Sequence, residues 1–157
     1  MLSVYLFGVA LVCTLIHLMF KWDWHWAKIS EVFLSYILLF NVGVMGFLAA
    51  FAHIFMGPET AKLIGWEPGS PFQFEMGMAN LSYGVLGVLA YFIRGNFWIA
   101  VIVGWSVLLL GCFVGHLMDY ILHGNNAPYN IGVYVWFNDL ILPFLTFGLL
   151  RANYKTI

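Results

Sequence analysis

The sequence predicts an all-α fold, a single polytopic membrane bundle of five transmembrane helices. Three observations lead there. Charged residues make up 8% of the chain and hydrophobic residues 63%, against roughly 25% charged in a soluble domain, so there is too little charge to cover a water-facing surface. Five apolar stretches reach the roughly 20 residues a helix needs to cross a hydrocarbon core of about 30 Å. The connections between them are too short to hold a second domain, so residues 1–157 are read as one unit.

The first stretch, 2–20, has no basic leader and no small-residue cleavage site, and it runs into KWDWHWAK. It reads as a retained span rather than a signal peptide. The others are about 32–56, 72–93, about 97–123 and about 132–150. Lys21, Lys28, Arg94, Arg151 and Lys155 then fall on one side and Lys62 alone on the other. The positive-inside rule makes the first side cytoplasmic, with the N-terminus outside and the C-terminus inside. Trp22, Trp24 and Trp26 fit an aromatic belt at that interface, with His25 among them. Gly111 and Gly115 form a GxxxG, and Gly77, Gly84 and Gly87 thin one side of the third span. Small residues let helix backbones approach, so both sets are expected at helix–helix contacts.

Composition excludes some classes of function. A net charge of −1 without a basic run argues against nucleic acid as a partner. Cys13 and Cys112 lie in separate apolar segments with no CxxC spacing, which argues against a dithiol oxidoreductase.

The polar residues carry the functional signal. His116, Asp119 and His123 step by three and then four residues. At roughly 100° per residue they fall within a wedge of about 60° on one helix face. Alternating the spans brings His53, Glu75, His116, Asp119, His123 and Asp139 to the same outer third of the membrane. Ionisable groups at such depth mark sites by default. A mixed His/carboxylate set suits a divalent metal such as Zn, Fe or Mn, with His116, Asp119 and His123 as ligands and Glu75, His53 or Asp139 completing the shell. If the metal is catalytic, Glu75 is the expected general base. The same residues fit a proton or ion pathway, haem held axially by imidazoles such as His53 and His116, or a polar network that only ties helices together. Pro143 removes the helical donor to the Asp139 carbonyl and predicts a kink there. His17 reads as a packing residue, Asn41 as an interhelical hydrogen-bonding residue, and Asn80 as a residue that could line the floor of the cluster. The outer loop, with Pro58, Ala61, Leu63, Ile64 and Trp66, fits either a short helix roofing the cluster or an ordinary interfacial connector.

The run IGWEPGSPFQFEMGMANLSYGVLG, followed by GHLMDYILHGNNAP and NDLILP, resembles a family of small bacterial integral-membrane proteins of unknown function. The resemblance covers about residues 57–143 and lands on Ser70, Pro71, Phe72, Gln73, Glu75, Asn80, His116, Asn126, Pro128 and Asp139. It implies a compact multi-span bundle in the bacterial inner membrane and supplies no mechanism. An accessory role in a larger membrane complex is the expected non-enzymatic alternative, and the expected partners are the lipid bilayer and either further copies of the chain in a homo-oligomer or the subunits of such a complex.

Overall fold

The protein's structure, a computed structural model, describes residues 2–154, and the side chains of residues 2–153. Lys155, counted above with the basic side, lies outside the described residues. Six helices follow one another: α1 (Leu2–Lys21), α2 (Trp26–Phe55), α3 (Gly57–Ile64), α4 (Phe72–Phe92), α5 (Asn96–His123) and α6 (Pro128–Asn153). No strand occurs among the described residues. Helices α1, α2, α5 and α6 are long and apolar enough to cross a membrane. Helix α4 has 21 residues but falls outside that set, carrying Gln73, Glu75, Asn80 and Ser82 among its residues. Many large apolar side chains point outward, among them Phe55, Phe92 and Ile121, as lipid-facing helices require.

Two helices depart from α geometry. Helix α2 begins six residues earlier than the apolar stretch suggests, because Lys28 and Glu31 pair at i,i+3 on its first turns. It contains a π-helical segment at Leu38–Val44. Helix α6 bends at Gly132 and holds a second π-helical segment, Trp136–Ile141, just before Pro143. Proline cannot donate to the Asp139 carbonyl four residues back, so the ladder there cannot stay α-helical. The kink expected at Asp139 takes this form.

Helices α2 and α4 meet backbone to backbone. A Cβ added to Gly87 would lie 2.7 Å from Gly43 Cα, and one added to Gly46 would lie 2.7 Å from Gly84 Cα. Gly77 packs against Ile54 and His53 in the same seam. At the basic end, Leu34, Ile37, Ala90, Trp98, Ile102 and Leu149 form a filled core, and the buried Trp98 indole donates to the Ala90 carbonyl at 2.6 Å. Glu31 binds both Lys28 and Arg94, which places the start of α2 beside the end of α4.

The GxxxG expectation is corrected. A Cβ at Gly111 or Gly115 would meet nothing within 4 Å, because that stretch of α5 faces a cavity instead of a neighbouring helix. Gly87→Ala should therefore cost about 1–3 kcal/mol through overpacking, whereas Gly111→Ala should be neutral or slightly stabilising. Unfolding in mild detergent, followed by circular dichroism, checks the pair. Equal stability of the two variants would contradict the packing described.

Candidate functional site

The end of the bundle opposite Arg94 holds a partly open cavity of about 670 Å³. Its walls come from α2, α4, α5 and α6, and its roof from α3 and Trp66. Local sequence explains the roof. Gly57 lets α3 start close to Gln73, where an added Cβ would lie 3.2 Å from Gln73 Cβ. Pro58 occupies the first turn, where its missing N–H is harmless. Gly65 ends the helix at φ +88°, a left-handed cap in which Gly65 N–H donates to Lys62 O (3.1 Å) and Trp66 N–H to Ala61 O (2.9 Å). Thr60 Oγ1 donates to Ala52 O at 3.0 Å and ties the roof to α2. The roofing alternative read from the loop is the one the structure shows.

The His116–Asp119–His123 stripe divides its work. Asp119 Oδ2 accepts from the Trp66 indole at 2.9 Å and from Asn125 Nδ2 at 2.6 Å, and Asp119 Oδ1 accepts from His123 Nδ1 at 2.8 Å. Asn125 Nδ2 also donates to Ile64 O at 3.0 Å. Asp119 thus latches the roof onto α5, while His123 stays 72% exposed at the surface.

His116 instead lines the cavity, with the Trp66 ring stacked on it at 5.4 Å and 15°. Its Nδ1 lies 2.8 Å from Asn130 Oδ1. The Asn130 amide is oriented by its own donations to Asn125 O (2.8 Å) and His116 O (3.3 Å). Its oxygen therefore faces the ring, and His116 Nδ1 must be the protonated donor. His53, on α2, lines the same cavity, and its Nδ1 lies 2.7 Å from Gln73 Oε1, an oxygen that can only accept. In both rings Nε2 is left as a bare lone pair with no protein hydrogen bond among the described residues.

Asp139 sits deeper, on the π-helical segment of α6, and is 4% exposed. Its Oδ1 accepts from Asn138 Nδ2 at 2.8 Å, and Asn138 Oδ1 accepts from Ser3 Oγ at 2.7 Å. Asn41, on the π-helical segment of α2, donates to Ser3 O at 2.8 Å. No Lys or Arg among the described residues pairs with Asp139. Glu75 is exposed and does not line the cavity.

Of the six expected ligands, then, His53, His116 and Asp139 line the cavity, Asp119 holds the roof, and His123 and Glu75 lie outside it. Among the described residues, no group of three or more His, Cys, Asp or Glu is placed to hold a metal ion. Asn80 lines the cavity, as does Cys112. His17 packs against Tyr36 away from the site. Trp66, Gln73, Asn125 and Asn130 acquire roles that the ionisable residues alone did not signal. Gln73 is among the residues the family resemblance singles out and Trp66 among those of the outer loop, whereas nothing in the spacing marks Asn125 or Asn130.

Residues 1–156 match the description of a family of unknown function, DUF6790. The chain belongs to that family. No curated protein and no solved structure matches it. The family's description carries no activity, so the site of this DUF6790 protein is read from its own chemistry.

Asp119→Ala should release the roof without unfolding the bundle. Losing the acceptor of two buried donors costs roughly 1–3 kcal/mol, so amide exchange across residues 57–66 should accelerate by about 10- to 100-fold while that of 84–92 stays unchanged. His123→Ala should leave both segments as they are. Uniform acceleration in the Asp119 variant would contradict the latch.

Proposed function

We propose that this is a multi-pass protein of the bacterial inner membrane, with α4 as a fifth span and the N-terminus outside. Its cavity opens toward the outer face and binds an apolar small molecule or prosthetic group through His53 and His116. One observation carries this reading: two imidazoles with committed Nδ1 protons line the same cavity, whose remaining lining is mainly apolar. Concave, mostly apolar sites with a few oriented polar groups are how small molecules and cofactors are held. A bare divalent ion with Glu75 as general base has less support. Glu75 lies outside the cavity, Asp119 is engaged by three donors, and no three-ligand group is found among the described residues.

Native mass spectrometry of protein released from detergent, made without a polyhistidine tag, tests the proposal. The wild type should carry a discrete adduct of small-molecule mass at about one per chain. His53→Ala/His116→Ala should lose it, and Glu75→Ala should keep it. Identical adducts in all three would refute the assignment.

Asp139 favours a second reading, a proton pathway. A buried carboxyl with one protein donor and no cation beside it among the described residues is the kind of group that intramembrane proton sites are built on. That reading predicts proton flux into liposomes that Asp139→Asn abolishes; flux no greater than in empty vesicles removes it.

A further inference from the structure

We infer that the occupant of the cavity is an iron porphyrin, and that Nε2 of His116 and Nε2 of His53 are its axial ligands; this rests on the cavity reading above. The ring protons decide the class of partner. Each Nδ1–H is given to a side-chain amide oxygen, at 2.8 Å in His116 and 2.7 Å in His53. Each Nε2 can then only accept a hydrogen bond or coordinate a metal. An imidazole whose far N–H is fixed by an acceptor is the usual arrangement of a metal-ligating histidine, since that bond sets both tautomer and ring orientation. Trp66, itself held by Asp119, fixes the His116 ring further by stacking on it.

The surroundings decide which kind of metal. A bare ion takes three or four ligands from the protein, and the described residues offer no such group. A cavity of about 670 Å³ is also far larger than one ion needs and lies within the roughly 300–1,000 Å³ of cofactor sites. A porphyrin supplies four equatorial nitrogens of its own and asks the protein only for one or two axial ligands. It needs apolar and aromatic walls, which Leu48, Met76, Leu108, Phe72 and Tyr129 provide. Helices α2 and α5 each bring one histidine to the lining of this cavity, and cofactor sites in bundles are built from side chains on different helices.

The test is titration of the purified chain in nanodiscs with hemin, followed by absorption and electron paramagnetic resonance. The expected result is saturation at one hemin per chain with a low-spin, six-coordinate spectrum. His53→Gly and His116→Gly should each give a high-spin spectrum and at least tenfold weaker binding, and added imidazole should restore the low-spin form. The double variant should show no saturable binding, while His123→Ala and Glu75→Ala should behave as wild type. Circular dichroism of the glycine variants, together with imidazole rescue, separates lost ligation from lost folding. Hemin binding that survives the double variant, or is no tighter than that of metal-free protoporphyrin, overturns the inference. So does tight, His116-dependent binding of Zn²⁺ that blocks hemin. If hemin fails while the histidine-dependent adduct persists in the mass spectrum, the cavity reading stands and the iron porphyrin alone falls.

Discussion

The contact between α2 and α4 at Gly43, Gly46, Gly84 and Gly87 sets the spacing on which the rest of the bundle depends. In lipid, helices gain nothing by hiding apolar surface from one another, so close packing of small residues must supply the association. With the two backbones in contact, register along the seam is fixed, and Gly77 comes to rest beside His53. Gln73, about one turn further along α4, then reaches the His53 ring. The same residue type acts in the opposite sense on α5. Gly104 sits under the Tyr83 hydroxyl, a contact an added Cβ would spoil, whereas Gly111 and Gly115 open room for the cavity. Glycine thus both closes this bundle and hollows it.

A second constraint follows from the medium. Polar groups without water must find partners inside the chain, and here amides meet most of the demand. Asn130 makes three hydrogen bonds, and Asn125 donates to the Ile64 carbonyl and to Asp119. Against that background an uncommitted polar atom carries information. Asn41 Oδ1 and Ser106 Oγ are buried with no protein partner, and Asn41 belongs to the hydrogen-bonded chain that ends at Asp139. That chain joins the two π-helical segments through Ser3 of α1. Departures of this kind from α geometry recur at functional sites, and the segment in α6 places Asn138 and Asp139 in the lining of the cavity.

The fold was legible because its signals are one-dimensional. Apolar length located four long apolar helices and α4 to within a few residues, apart from the early start of α2 and of α6, where charged or proline-led turns extend the helix beyond the apolar run. Convergence was legible in part, since His53, His116 and Asp139 do line one cavity. Rotation was not. The sequence cannot say which way a helix turns its glycines, so the GxxxG spacing points to a contact that Gly111 and Gly115 do not make. Glu75 failed for the same reason. It lies on the turns of α4 that carry Gln73 and Met76, but its side of the helix is exposed.

The stripe on α5 shows why a shared helix face is not a shared site. His116, Asp119 and His123 lie within one wedge, yet α5 ends at His123, so its last turn meets the roof and the surface rather than the cavity. Asp119 stands at that boundary and is claimed by partners from outside the helix: Trp66 from the loop after α3, and Asn125 from the loop after α5. Neither can be inferred from helical spacing, because both depend on how two loops fold back over α5. The carboxylate still serves the imidazole one turn below it, through the Trp66 ring it holds against His116. The pattern of histidine, acid and histidine therefore encodes one cavity-facing donor and the latch that keeps it oriented, with the third residue contributing a hydrogen bond to that latch from the surface.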